Sequence, residues 1–327
     1  MAGSHFHGGT ITWTPLDPYT NSSSVTIAIK QSYSWSYPTV LCNTSVPITT
    51  AAYSSVNTNL TCMANCSTDG GYSQTPIDIL TDCVSSSQSL GVMSSERTVN
   101  VTLNSSAYFY IAYQGSAWGN LNDPPQSGLS WSIVSLINLI KRDDGIINTP
   151  PVASVVSPQY VIVNTTTNIK IPVSDVNGDD VRCRWSVYRP GYRRRREIDT
   201  KKVNYIREKR QGCSACNSGV CATTCHCSCP DCQGTTCNGT ACLETPFCPA
   251  LNITSTVNPP IDECGGICHT NGLPNDTTLA NCTVSFTGLV AGAWYAVALQ
   301  VNELQRIFEF FFVCVCVGRR FRQWYQY

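Results

Sequence analysis

The stretch from Ile169 to Trp185, IKIPVSDVNGDDVRCRW, constrains the fold of this chain more than any other. On both sides of the Asn177-Gly178 pair, apolar residues alternate with polar ones, a pattern that predicts two half-buried β-strands around one bend. A two-residue turn at this pair would place Val173 opposite Arg182 and so mix apolar and charged side chains on one face. We therefore expect a different connection between the two strands.

Two other connections preserve the alternation. One is a three-residue loop from Val176 to Gly178, with Gly178 in the left-handed conformation. The other is an arch whose two strands belong to opposite sheets of a sandwich. Both connections keep Cys183 and Trp185 in a hydrophobic core.

The composition extends the β prediction to the whole chain. Only 13% of the 327 residues are charged, Ser, Thr, Asn and Gly are plentiful, and long stretches of helix-forming residues are missing. The length leaves room for about two domains. We predict an all-β fold of tandem antiparallel β-sandwich domains, Ig-like or Greek-key in type, with a disulfide-rich insertion.

The order of apolar segments predicts the domain boundaries. An N-terminal β-sandwich domain spans residues 1–148 and ends with an apolar run from Trp131 to Ile140, which predicts a strand buried on both faces. The joint at Asn148 to Pro151 excludes helix and marks the boundary. A second Ig-like sandwich spans residues 149–303, interrupted by an insertion at 189–258, and residues 304–327 form a C-terminal strand and tail.

Sequons for N-linked glycans are frequent, which indicates a secreted or extracellular chain. Eleven occur where about five are expected by chance. The sequon asparagines are Asn21, Asn43, Asn59, Asn65, Asn100, Asn104, Asn164, Asn238, Asn252, Asn275 and Asn281. Asn100 and Asn104 alternate away from apolar residues, so we expect them on the solvent side of one strand.

The two ends of the chain carry no segment of the length that spans a membrane. MAGSHFHGG lacks the apolar region of a secretory signal, so we expect that the numbering begins near a mature terminus or that a leader lies upstream. The apolar run from Ile307 to Val317 is too short to span and contains Glu309.

The twenty cysteines also predict an oxidising compartment, where disulfides persist. Two sets of four lie outside the insertion, and each allows two disulfides in any of three pairings. The first set is Cys42, Cys62, Cys66 and Cys83, and the second is Cys183, Cys264, Cys268 and Cys282.

Several segments together resemble a known group of sequences. HFHGGTITW, IPVSDVNGDDVRCRW, DECGGIC and WYAVALQV are similar to segments of uncharacterised extracellular proteins of invertebrates and protists. The resemblance covers most of residues 5–148 and the pieces 150–188 and 262–302. It implies that the first motif opens a β-domain and that VRCRW lies in a second one, and it implies no function. Residues 189–258 and those after Asn302 depart from the pattern.

The insertion begins with a basic segment. RRRR at 193–196 and REKR at 207–210 fit the pattern that proprotein-processing proteases cleave, after Arg196 or Arg210. A solvated loop and a polyanion-binding segment are the alternatives, and we do not expect nucleic acid as a partner outside the cell. If cleavage occurs, the sandwich and any disulfide from Cys183 to a later cysteine would hold the pieces together.

Ten closely spaced cysteines follow the basic segment. They are Cys213, Cys216, Cys221, Cys225, Cys227, Cys229, Cys232, Cys237, Cys242 and Cys248. Two C-x-x-C pairs and nearby His226 have zinc-ligand spacing, but the many short spacings and the sequon at Asn238 favour a disulfide-stapled module. Redox exchange at CPDC is a further alternative.

Other candidate sites are few. Asp175, Asn177 and Asp179 place several oxygens around one turn and form a weak calcium candidate, although their spacing is not that of an EF-hand and a bare turn favours the same residues. His5 and His7 mark a polar start to the first strand or share a metal. No catalytic motif is recognisable, so we do not expect an enzyme.

The tail suggests how the chain associates. In IFEFFFVCVCV at 307–317, both alternating sets of positions are apolar apart from Glu309. Both faces of this strand are therefore apolar, so we expect a central, buried place in a sheet. The strand either closes the sheet of its own chain or fills the sheet of a neighbour. Cys314 and Cys316 could cross-link the contact between copies or bond to cysteines of the same chain. The aromatic residues Phe321, Trp324, Tyr325 and Tyr327 add contact surface.

These features lead to three functional hypotheses. The leading one is a secreted, N-glycosylated structural or adhesive protein that self-assembles into an extracellular filament or matrix through strand exchange. The second is a monomeric ectodomain that binds carbohydrate or another ligand, and the third is a secreted hydrolase. N-linked glycans are expected on the chain, and calcium is the one candidate cofactor.

Overall fold

The computed structural model describes residues 6–42, 58–116, 118, 121–122, 125–126, 128–154, 157–188, 261–268, 273–303 and 313–318. Within these ranges the chain consists of β-strands in largely antiparallel sheets, with only three short 3₁₀ turns. The strands are β1 (Phe6–Pro15), β2 (Ser24–Ser36), β3 (Thr61–Ala64), β4 (Asp82–Ser87), β5 (Val92–Asn104), β6 (Tyr108–Ser116), β7 (Leu121–Asn122), β8 (Pro125–Gln126), β9 (Ser130–Asn138), β10 (Val152–Ala153), β11 (Gln159–Tyr160), β12 (Thr166–Lys170), β13 (Val173–Ser174), β14 (Val181–Trp185), β15 (Thr278–Ala280), β16 (Thr283–Thr287), β17 (Ala296–Glu303) and β18 (Val313–Gly318). For the described residues, the prediction of a β fold with almost no helix and with disulfides is confirmed.

The N-terminal half contains two sheets that share one hydrophobic core. A four-stranded sheet has the order β1-β2-β5-β4, and a three-stranded sheet has the order β3-β6-β9. Alternate residues of both sheets, such as Ile27 and Ile111, are fully buried in the same cluster. Trp13 reaches from β1 to the other sheet, where its Nε1 donates a hydrogen bond of 2.7 Å to the carbonyl of Leu136.

Phe6 lies at the centre of an aromatic cluster at one end of this core. Its ring stacks on Trp131 at 4.0 Å between centroids and meets Trp35 and Trp118 edge-on at 4.8 and 5.5 Å. The glycines that follow let the chain enter this position, because Gly8 has a φ of 131° at a register irregularity and a side chain at Gly9 would collide with the neighbouring strand. Packing thus explains Phe6, Gly8 and Gly9 of the HFHGG motif.

Strand β9 is buried on both faces, as its nearly continuous apolar sequence predicts. Every residue from Trp131 to Ile137 is buried, whereas Ile140 lies beyond the strand and is 52% exposed. One face of β9 packs in the aromatic core, and the other packs with Ile261 in a separate small cluster. A segment from the distant C-terminal half therefore covers the outer face of the β3-β6-β9 sheet.

The C-terminal half has a second core between two further sheets. One has the order β11-β18-β17-β14, with a parallel pairing between β11 and β18, and the other has the order β12-β16-β15. Val284 and Phe286 of β16 and Leu299 and Val301 of β17 are fully buried there.

The Ile169–Trp185 stretch is an arch. Strand β12 pairs with β16, and β14 pairs with β17, so the two arms belong to different sheets. The predicted alternation is present, since Ile169 and Ile171 are buried and Lys170 is exposed. Gly178 has a φ of 78° in the bend, and Cys183 and Trp185 pack against the second core as half-buried residues.

Strand β17 belongs to both cores. Its alternate residues Val297 and Leu299 pack in the second core, and Ala296 and Ala298 pack in the first. The described residues of both cores accordingly belong to one compact unit, and residues 195–258 lie outside the described residues. The domain boundary near residue 148 stays a prediction.

Candidate functional site

The structure selects one pairing for each set of four cysteines. Cys42 bonds Cys83 and Cys62 bonds Cys66 in the first set. In the second set, Cys183 of β14 bonds Cys282, and Cys264 bonds Cys268. The Cys183–Cys282 disulfide joins residues on either side of the 189–258 insertion. The ten cysteines of the insertion lie outside the described residues.

The sequon asparagines of the described residues are accessible. Seven of the eight are exposed, and Asn59 is half-buried. Asn100 and Asn104 lie on the solvent face of β5, as their alternation with apolar residues predicts. The other three sequons, Asn43, Asn238 and Asn252, lie outside the described residues.

An ion pair joins the two segments that flank the insertion. We call Arg184, Val187 and Glu263 the insertion base. The carboxylate of Glu263 is fully buried and accepts hydrogen bonds of 2.8 and 2.6 Å from the two terminal nitrogens of Arg184. It also accepts a bond of 2.7 Å from the backbone N–H of Val187. Residues that flank the insertion on its two sides are therefore in direct contact.

Three carboxylates converge where the arch meets the end of β17. We call Asp175, Asp179 and Glu303 the acidic cluster, because one oxygen of each lies within 4.8 Å of the others. Glu303 is only 8% exposed, and the two aspartates are half-buried. The sequence pattern pointed to Asp175 and Asp179 but not to Glu303, whose place in the cluster follows from the pairing of β14 with β17.

Hydrogen bonds account for only some of the oxygens in the acidic cluster. Asp175 Oδ1 accepts from the backbone N–H groups of Asn177 and Asp179, which shapes the arch. Glu303 Oε2 accepts from Asn148 at 2.8 Å. Asp175 Oδ2 and Glu303 Oε1 are buried without a hydrogen-bond donor, and they are the only such carboxylate oxygens among the residues described.

The surroundings of the acidic cluster include one cation. Arg142 donates to Asp179 Oδ2 at 2.9 Å, and its Nε lies 3.2 Å from Asp144. Burial raises the pKa of Glu303 to about 8, and the neighbouring Asp175 and Asp179 add to the shift, while the bond from Asn148 opposes it. A proton or a cation is therefore held more favourably here than at a solvated carboxylate.

Asn177, the third residue of the calcium prediction, has a different role in the structure. Its side-chain oxygen accepts a hydrogen bond of 2.9 Å from the backbone N–H of Thr149, which ties the arch to the joint that follows β9. Glu303 takes the position in the cluster that the sequence pattern had given to Asn177.

Neither a protein-family model, nor a curated protein, nor a solved structure matches this chain. The described residues contain no helix that is long and apolar enough to cross a membrane.

His7 lies in a packed environment. Its Nε2 is 2.9 Å from the hydroxyl of Ser36, and its ring stacks on Trp294 at 5.5 Å between centroids. His5, Arg196, Arg210 and His226 lie outside the described residues, so their predicted roles stay predictions.

The tail strand lies within the sheet of its own chain. Strand β18 pairs with β17 on one side, with Cys314 opposite Ala298 and Cys316 opposite Ala296, and with β11 on the other side. In this one-chain structure β18 lies in the sheet of its own chain, and exchange between copies stays a prediction. The aromatic residues from Phe321 to Tyr327 lie outside the described residues.

Proposed function

We propose that this chain is an extracellular, N-glycosylated structural or adhesive protein of tandem Ig-like β-sandwiches, which self-associates by exchanging β18. The position of β18 between two strands of one sheet is the observation that supports this proposal most. Every copy of the chain has the same position between β11 and β17, so the β18 of one copy could occupy this position in another copy.

Loss of β18 would expose the edge of β17. β17 is buried along its whole length and pairs with β18 through Ala296 to Leu299. Without β18, that edge would carry unpaired N–H and C=O groups beside apolar surface, which favours pairing with another chain. Exchange of β18 between copies would preserve every hydrogen bond of the pairing, so it costs little enthalpy.

The extracellular part of the proposal rests on the disulfides and the sequons. Four disulfides among the described residues favour an oxidising compartment. The exposure of the sequon asparagines makes the surface accessible for glycans. Disulfides and exposed sequons are both consistent with the extracellular matrix protein proposed here.

A cross-linking experiment tests the exchange. Directly opposed residues of an antiparallel pair have Cα atoms about 4.5–5.5 Å apart, within the range of a disulfide. Ala298→Cys would place a cysteine opposite Cys314. If β18 exchanges, oxidised Ala298→Cys protein gives covalent chains of several copies on a non-reducing gel, and the matched control with Cys314→Ser added does not.

Truncation gives an independent readout. A chain ending at Arg306 lacks β18, so we expect its assemblies to be lost in size-exclusion chromatography and electron microscopy. Assemblies that persist unchanged after truncation would contradict the strand-exchange mechanism.

A second function is favoured by the intramolecular position of β18. A monomeric ectodomain that binds carbohydrate or another ligand needs the tail strand in its own sheet, as in the structure. It predicts that Ala298→Cys cross-links within one chain and that the full-length protein elutes as a monomer.

A further inference from the structure

When its three carboxylates are ionised, the acidic cluster carries buried negative charge that the hydrogen bonds of the described residues do not offset. Asp175 Oδ2 and Glu303 Oε1 have no donor, and both are buried. An ionised carboxylate buried without a partner is strongly unfavourable, so such groups take up a proton or bind a cation. Arg142 divides its charge between Asp179 and Asp144, which leaves the cluster with net negative charge.

The chemistry of the cluster specifies the class of cation. All the available ligand atoms are carboxylate oxygens, which suit hard cations and not the softer metals that histidine and thiolate ligands bind. The two aspartates come from the arch and Glu303 comes from the end of β17, so the three side chains approach from two different elements. Calcium accepts such irregular oxygen sets and completes its coordination with water, whereas magnesium demands a near-ideal octahedron.

We propose that Asp175, Asp179 and Glu303 form a calcium-binding site at the junction of the arch with β17. The unpartnered oxygens Asp175 Oδ2 and Glu303 Oε1 are the first two ligands, and Asp179 supplies the third from the oxygen that Arg142 does not contact. The proposal is independent of strand exchange, because β18 contributes nothing to the cluster.

A cation at this position would stiffen the joint between the two halves of the fold. Asn148 donates to Glu303, and Thr149 donates to Asn177 of the arch, so the segment after β9 is already tied to the cluster through two hydrogen bonds. Calcium would hold the arch and β17 together and so fix both anchor points of that segment.

Calorimetric titration of the full-length protein with calcium chloride tests the site, with magnesium chloride in parallel. We expect a dissociation constant of about 0.1–1 mM, the range of extracellular calcium modules, and weaker binding of magnesium. Glu303→Gln keeps the shape of the side chain and should weaken calcium binding at least about tenfold. Asp179→Asn is a second variant that keeps an oxygen for Arg142 and should weaken binding similarly.

Asp180→Asn is the matched control. Asp180 lies beside the cluster in the sequence, but its side chain is 56% exposed and pairs with Arg182, so its replacement should change the affinity by less than about twofold. Equal losses in Asp180→Asn and Glu303→Gln would show a diffuse electrostatic effect and overturn the proposal.

Two further results would also overturn it. One is the absence of any calcium response of the wild-type protein up to about 10 mM, well above the weakest extracellular sites. The other is undiminished binding in both Glu303→Gln and Asp179→Asn. If Glu303→Gln instead raises the thermal stability and calcium has no effect on the wild type, the oxygens share a proton and no cation. Each of these results leaves the test of β18 exchange untouched.

Discussion

The ion pair at the insertion base gives the sharpest stability prediction. Arg184→Ala would leave the carboxylate of Glu263, which is fully buried, without its cation. Glu263→Ala would instead leave a guanidinium that is already 27% exposed and can turn toward water. We therefore expect Arg184→Ala to destabilise the protein more than Glu263→Ala, although both remove the same pair.

The geometry sets the size of the effect. The pair makes two charge-assisted hydrogen bonds of 2.8 and 2.6 Å, and each such bond contributes about 1.5–3 kcal/mol. Breaking a buried pair by removing one partner typically costs about 3–5 kcal/mol, which we expect for Arg184→Ala. For Glu263→Ala we expect about 2–3 kcal/mol, mainly from the backbone N–H of Val187 that loses its acceptor.

Urea unfolding followed by tryptophan fluorescence measures these differences in the free energy of unfolding. The double variant Arg184→Met with Glu263→Leu should be more stable than Arg184→Ala, because no charge is left buried. Lys30→Ala is the control, since it breaks an exposed pair with Glu96 and should cost less than about 1 kcal/mol. Loss of less than about 0.5 kcal/mol in Arg184→Ala, or the reverse order of the two single variants, would refute the reasoning.

Three further predictions follow from the described contacts. Phe6→Ala should cost about 3–5 kcal/mol in urea unfolding because Phe6 is buried among five aromatic rings, whereas Tyr19→Ala, at a side chain 67% exposed, should be nearly neutral. On a denaturing gel, protein cleaved after Arg196 or Arg210 should run as one band without reductant and as two bands with it, because the disulfide between Cys183 and Cys282 spans the cut. Two bands without reductant would contradict this pairing. Burial raises the pKa of Tyr33, Tyr72 and Tyr113. The stability gained from their protonated state is therefore present below pH about 10 and is lost as the pH rises further. Their ultraviolet ionisation signal should appear only with unfolding, and ionisation in the folded protein would contradict their burial.

Local patterns predicted those parts of the fold that depend on near neighbours in the chain. The alternation at Ile169, Lys170 and Ile171 predicts which side chains are buried, because residues of a strand point to opposite faces in turn. The nearly continuous apolar run at Trp131 to Ile137 predicts burial on both faces for the same reason.

The pairing of the cysteines could not be predicted from the local sequence. Their number and spacing predict two disulfides in each set of four, but three pairings remain equally consistent with the sequence. The Cys183–Cys282 bond spans 99 residues, and only the packing of β14 against the opposite sheet brings the two sulfurs together.

For the Ile169–Trp185 stretch and the acidic cluster too, the sequence determined some features and the tertiary structure decided the others. The sequence by itself determined that two half-buried strands flank the bend and that Asp175 and Asp179 lie within it, because strand periodicity and turn chemistry are local properties. Only the tertiary structure decided that the stretch is an arch and that Glu303 lies beside these aspartates. Glu303 is more than a hundred positions away in the chain, and the pairing of β14 with β17 is a long-range contact that no local pattern encodes.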